Sequence, residues 1–142
     1  MATILIMEDD PSEGGVYKRA LESMGHEVSL ATSATAALAE MAETAFDLLL
    51  TDLFVPRTAN NRPDGGIALI GRIRVARSGS DVTQLKTSPR LPIIAMTGAT
   101  EAPAVVANPL DSARAVGADR VLKKPFDLST LFACVDECLD GR

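Results

Sequence analysis

Ile4-Leu5-Ile6-Met7-Glu8-Asp9-Asp10-Pro11 is an apolar run that stops on three consecutive acids and a proline. A short apolar run bounded by a turn signal reads as a strand buried on both faces, which puts the acids at its carboxyl end. Asp10 can cap a following helix, with Pro11 at the first helical position, where a missing N–H does no harm. A second run, Leu48-Leu49-Leu50-Thr51, stops on Asp52 in the same way. If the two runs are neighbouring parallel strands, their carboxylates meet at one sheet edge. Two like charges ~5 Å apart cost roughly 3 kcal/mol at an effective dielectric of about 20. A chain that gathers them is expected to hold a divalent cation there, and that points to phosphate chemistry.

Outward from these two runs, strand-length apolar stretches alternate with stretches of helical period, the pattern of an α/β domain whose parallel sheet is covered on both faces. The first strand is Ala2 to Met7. A helix follows with Val16, Ala20, Leu21 and Met24 as its inward stripe and Gly25 as its stop. Gly14 and Gly15 each weaken that helix by about 1 kcal/mol relative to Ala and suggest a mobile first turn. Next come a strand at Val28 to Ala31, an alanine-rich helix from Thr35 to Glu43, and the central strand from Asp47 to Thr51. The stretch 57–63 is polar and aperiodic. Asp64-Gly65-Gly66 opens a helix carrying Ile67, Leu69, Ile70 and Ile73, and 78–90 again reads as loop. Leu91 to Thr97 is strand four, Asn108-Pro109 and Gly117 bound a short helix, and Val121-Leu122 marks the last strand. Asp127 caps a final helix with Leu128, Leu131, Phe132, Val135 and Leu139 inward. That makes five βα units in a single domain, without repeat or linker.

Bulk properties narrow the function. A chain of 142 residues can bury one proper core, and 46% apolar with 23% charged residues is the balance of a soluble globular protein. The net charge of −5 argues against a general nucleic-acid-binding surface. No apolar run has the length of a membrane span and no N-terminal segment has the pattern of an export signal, so a cytoplasmic protein is expected. Cys134 and Cys138 share one face of the last helix and lack the partners of a metal site, which assigns them to the core. His26, in the turn Met24-Gly25-His26-Glu27, reads as a solvated turn residue without a role.

In doubly wound sheets ligands sit outside the carboxyl ends of the strands. Strand one brings Glu8 and Asp9 there, and strand three brings Asp52. Strand four brings Thr97, followed by Gly98-Ala99, and strand five brings Lys123-Lys124-Pro125-Phe126. The segments 4–11, Asp-Leu-Phe-Val-Pro at 52–56, Pro-Ile-Ile-Ala-Met-Thr-Gly at 92–98 and Gly-Ala-Asp-Arg-Val-Leu-Lys-Lys-Pro-Phe at 117–126 stand in order over nearly the whole chain. Together they resemble the receiver domain of two-component response regulators. The resemblance implies a flavodoxin-like (βα)5 doubly wound parallel sheet with strand order 2-1-3-4-5. It implies Asp52 as phosphoacceptor, taking a phosphoryl group from a sensor histidine kinase or phosphotransfer protein. It also implies Mg²⁺ held by Asp9, Asp52 and the backbone carbonyl of Phe54, with Glu8 reaching the ion through water. Thr97 would bond the phosphoryl oxygens and Lys124 would pair with them, aimed by a cis Lys124–Pro125 bond. The charge balance agrees: three carboxylates against one lysine repel a phosphate donor unless a cation intervenes, and Mg²⁺ prefers oxygen ligands and bridges to phosphate.

Three stretches depart from the family pattern, since 57–63, 78–90 and 101–108 lengthen their connections. The first and third flank the pocket or its output face and read equally well as a gate on donor access or a private partner surface, or as tolerated surface insertions. Receivers usually carry an aromatic residue three before the lysine, whose ring swings inward on activation. Val121 stands there, so the readout is expected to run through the loop after strand four and the helix from Pro109. Phe54 is expected to shield an acyl phosphate from water. The resulting expectation is a stand-alone receiver over 1–142 with no output domain. It would catalyse only its own phosphorylation and dephosphorylation, and act on a downstream protein target without touching nucleic acid or membrane. The alternatives are a pseudo-receiver that binds partners without phosphotransfer, an aspartyl phosphohydrolase and a flavin carrier. Phe54 stands where such a hydrolase commonly has a second Asp, and the phosphate loop of a flavin carrier is missing.

Overall fold

A computed structural model describes residues 2–52, 66–77, 85–88, 90–98 and 117–140. The apolar runs form strands β1 (Thr3–Met7), β2 (Glu27–Ala31), β3 (Leu48–Asp52), β4 (Ile93–Gly98) and β5 (Arg120–Lys124). Between them lie helices α1 (Pro11–Ser23), α2 (Ala34–Glu43) and α3 (Gly66–Arg77), and α4 (Leu128–Asp140) closes the described chain. All strand pairs are parallel, in the order β2-β1-β3-β4-β5. The expected doubly wound, flavodoxin-like sheet is therefore present, with the chain reversing direction across the sheet between β1 and β3. That switch point is where such sheets open a crevice at their carboxyl edge.

Alternation along the central strands divides the core in two. Leu5, Met7, Leu49, Ile93 and Ala95 pack with Ala37 and Met41 of α2 and with Leu69, Ile70 and Ile73 of α3. On the other face Ile4, Ile6, Leu48, Leu50, Ile94 and Met96 pack with Tyr17 and Leu21 of α1 and Leu131, Val135 and both cysteines of α4. Strands covered on both faces have no need of polar alternation, which is why β1, β3 and β4 read as continuous apolar runs. Asp10 caps α1 as expected, its Oδ1 accepting from the N–H groups of Ser12 at 2.9 Å and Glu13 at 3.4 Å. Asp127 Oδ1 accepts from Thr130 N–H at 2.8 Å and caps α4. Among the described residues no helix is long and apolar enough to cross a membrane.

Several expectations are corrected. The inward stripe of α1 is Gly14, Tyr17 and Leu21, whereas Val16 and Met24 are each 48% exposed. The cap at Asp10 fixes the helix phase, and that phase turns Tyr17 rather than Val16 toward the sheet. Gly14 is no mark of a loose turn. A Cβ there would lie 2.7 Å from Leu30 Cδ1 and 3.3 Å from Glu8 Cβ, so its missing side chain lets α1 settle onto the β1–β2 edge. Leu128, in the first turn of α4, is 39% exposed, and the inward stripe begins at Leu131. His26 is tied down, its Nδ1 accepting from Ala2 N–H at 3.0 Å. Part of the stretch 78–90 is docked rather than loose. Lys86 and Thr87 N–H both donate to Met41 C=O, and the buried Thr87 hydroxyl bonds the backbone at Thr44 and Phe46. Phe54, the stretches 57–63 and 101–108, and the short helix from Pro109 lie outside the described residues.

Candidate functional site

The pocket is built by strands that stop together. β1 ends on Met7, but Glu8 N–H still donates to Ala31 C=O at 2.9 Å, so Glu8 stays in the sheet with its side chain buried. Asp9 stands beside it, partly buried, while Asp10 turns away to cap α1. One strand over, β3 runs one residue further than the apolar run and carries Asp52 as its last, buried member. The register pairs Met7 with Thr51, which brings Asp52 level with the residues that follow β1. Glu8, Asp9 and Asp52 each offer a carboxylate oxygen, and these atoms all lie within 4.8 Å of one another.

Lys124, at the end of β5, reaches into this cluster. Its Nζ lies 3.1 Å from Glu8 Oε2, 3.6 Å from Asp52 Oδ2 and 3.0 Å from Glu13 Oε1. The Lys124–Pro125 bond is cis, as expected. Thr97 is buried near the end of β4; Met96 pairs in register with Asp52, so Thr97 stands one step beyond it on the neighbouring strand. Four of the five strands thus bring their expected side chains to one edge, and Phe54 lies outside the described residues.

Electrostatics shows what this crowding does. Burial, and then the charge of Asp52, push the Glu8 carboxyl up to about 8 against the pull of Lys124. For Lys124 burial works against the charged form, but the bond to Glu13 and the charges of Asp52 and Glu8 outweigh it and raise its pKa. A divalent cation among these oxygens would offset both the burial and the repulsion at Glu8. The donor set is all oxygen and rich in carboxylate, which suits a hard cation such as Mg²⁺. The residues present fit the metal.

Two residues of the pocket were not anticipated. Glu13, at the third position of α1, is an ion-pair partner of Lys124, and Tyr17 one turn on donates its hydroxyl to Glu13 Oε1. The Tyr17 ring stacks on Phe126, with centroids 5.6 Å apart and planes 19° from parallel. The one signal in the sequence was the Glu13/Tyr17 spacing of four, which places them on one helix face. The contact with Lys124 has no local signature.

The profile of the response regulator receiver domain matches residues 4–136. This chain belongs to the response regulator receiver domain family. The receiver is 32% identical over 141 residues to the DNA-binding transcriptional regulator NtrC of Azospirillum brasilense, covering 99% of this chain and 25% of that protein. It is 25% identical over 147 residues to Histidine kinase 5 of Arabidopsis thaliana, covering 96% of this chain and 15% of that one. The chain therefore spans a quarter or less of the length of these two relatives. Among solved structures it is similar to a CheY-like response regulator receiver domain protein from Methanospirillum hungatei JF-1. The TM-score there is 0.75 at 25% identity, over 99% of this chain and 95% of that one. It is also similar to the chemotaxis protein CheY4 of Vibrio cholerae, with a TM-score of 0.73 at 26% identity over 98% and 99% of the two chains. The protein is a receiver domain of a two-component response regulator. Receiver domains bind Mg²⁺ at an acidic pocket and meet histidine kinases or phosphotransfer proteins, and the cluster at Glu8, Asp9 and Asp52 is consistent with Mg²⁺ binding and phosphorylation.

Proposed function

We propose that this receiver accepts a phosphoryl group on Asp52 from the phosphohistidine of a sensor histidine kinase or phosphotransfer protein. The modified chain then docks differently to a downstream protein target. The observation that carries this reading is the convergence of Glu8, Asp9 and Asp52 within 4.8 Å, with Lys124 Nζ 3.6 Å from Asp52. A carboxylate oxygen of Asp52 attacks phosphorus and an O–P bond forms. The P–N bond breaks with its electron pair remaining on the imidazole nitrogen, and the product is an acyl phosphate. A carboxylate nucleophile needs no general base. Asp9, Asp52 and the carbonyl of Phe54 would hold Mg²⁺, with Glu8 acting through water. Bound there, the ion would neutralise charge on the transferred group. The Thr97 hydroxyl donates to one phosphoryl oxygen and Lys124 pairs with another. Hydrolysis of the acyl phosphate by water resets the chain, and we assign it no other catalysis. We read residues 1–142 as a single receiver domain.

Incubation with Mg²⁺ and acetyl phosphate, followed by intact mass measurement, tests the reading. A phosphate-sized gain is expected for the native chain and none for Asp52→Asn. No gain in either would instead favour a module that binds partners without phosphotransfer.

A further inference from the structure

Lys124 has more carboxylate partners than the phosphoryl-accepting pocket requires. An ammonium has three N–H donors. Here its two short contacts go to Glu13 at 3.0 Å and Glu8 at 3.1 Å, while Asp52, at 3.6 Å, lies beyond the range of a good hydrogen bond. Glu13 differs from the other two acids in three ways. It comes from α1 rather than from a strand end, and it lies outside the oxygen cluster that suits a cation. Its side chain is a third exposed, whereas those of Glu8 and Asp52 are buried. It also has a second partner, the Tyr17 hydroxyl, that stays with it if the lysine leaves.

We propose that Glu13 is a positioning residue that parks Lys124 in the unphosphorylated chain, and that arrival of a phosphoryl group on Asp52 draws the lysine away from it. This rests on the phosphoacceptor reading above. Phosphorylation turns the singly charged Asp52 carboxylate into an acyl phosphate that carries about two negative charges and three terminal acceptor oxygens, set further out toward the lysine. The lysine gains there and must loosen one carboxylate. Glu8 is buried and has no solvent to fall back on, so the exchangeable partner is Glu13, which keeps Tyr17 and its water-facing side. Loss of the ammonium leaves Tyr17 the main partner of Glu13, and Tyr17 is stacked on Phe126, two residues beyond Lys124. The exchange therefore reaches the surface where α1 meets the segment after β5. Val121 cannot supply a swinging ring, but an aromatic pair already stands at this place.

Tyr17 is the only tyrosine and the chain has no tryptophan, so intrinsic fluorescence reports this one side chain. The experiment adds Mg²⁺ and beryllofluoride, a phosphoryl mimic, to the native chain and Glu13→Gln, and follows bound fluoride by ¹⁹F NMR beside tyrosine emission. Glutamine keeps the shape and the hydrogen bond to Tyr17 but drops the charge. Beryllofluoride is expected to change Tyr17 emission in the native chain and to change it far less in Glu13→Gln. That variant is expected to bind the mimic about fivefold more tightly, the scale of one partly exposed ion pair released in advance. Bound fluoride with unchanged Tyr17 emission in the native chain, or equal affinity for native and Glu13→Gln, overturns the parking role. Absence of any bound fluoride resonance overturns the phosphoacceptor reading itself, and the parking role with it.

Discussion

At Glu8, burial and the charge of Asp52 act in one direction and Lys124 in the other, and the balance leaves its pKa at about 8. From the ordinary carboxylate range up to that value, the folded chain keeps a proton that the unfolded chain has already released. Fewer protons bound in the unfolded state mean that stability falls as pH rises through this window. Urea melts of the metal-free chain in a chelator should therefore show a midpoint that declines between about pH 5 and about pH 8. Glu8→Gln should flatten the slope, and a native midpoint that climbs across this window would contradict the assignment. The adjacent glycines of α1 part company in the same way. Gly15 has open space around a would-be Cβ, with only Arg19 Nη2 at 3.8 Å, whereas Gly14 abuts Leu30 and Glu8. Gly15→Ala is expected to stabilise the chain by about 0.4–1 kcal/mol. Gly14→Ala should lose that gain to the clash and disturb Glu8, and thermal melts of both variants would separate the two.

Among the elements, the strands were legible because burial on both faces leaves mainly apolar side chains at β1, β3 and β4, and because a polar residue, Glu8, Asp52 or Thr97, stands at or beside the carboxyl end of each. The caps at Asp10 and Asp127 were legible because the interaction lies within one helix, and the core placement of Cys134 and Cys138 because their spacing of four puts them on one face of α4. The phase of α1 was misread. Val16 and Met24 are apolar but exposed, and the half-polar Tyr17 takes the inward place with its hydroxyl at the pocket rim. The contacts of Glu13 with Lys124 and of residues 85–88 with α2 were illegible, because they join segments far apart through groups that leave no period. The second of these is a test of element packing. Thr87 Oγ1 donates to Thr44 C=O at 2.6 Å and accepts from Phe46 N–H at 3.0 Å, in a buried position. Thr87→Val keeps the shape and strands both backbone groups, so it should cost about 1–3 kcal/mol. Denaturant titration checks this, and a change within error would mean that water replaces the hydroxyl.

Over the whole molecule, strand order does the work of assembly. With β1 and β3 side by side in the middle of the sheet, acids far apart in sequence become neighbours, and β5 delivers the lysine from the other end of the chain. The fold and the Glu8, Asp9, Asp52, Thr97 and Lys124 constellation could be read from strand ends because topology alone gathers them. How the state of Asp52 reaches a partner could not, since Val121 is a partly buried aliphatic packed against the α2–α3 core layer and offers no ring. The Tyr17–Phe126 pair gives that signal a physical route on the α1 side. The central claim, that the gathered carboxylates make Asp52 a cation-assisted phosphoacceptor, is open to direct assay. Peptide mapping after incubation with phosphoramidate, with and without Mg²⁺, should find the phosphoryl group on the peptide containing Asp52, and only when the ion is supplied. Equal labelling in a chelator, or a phosphoryl group carried elsewhere, would contradict it.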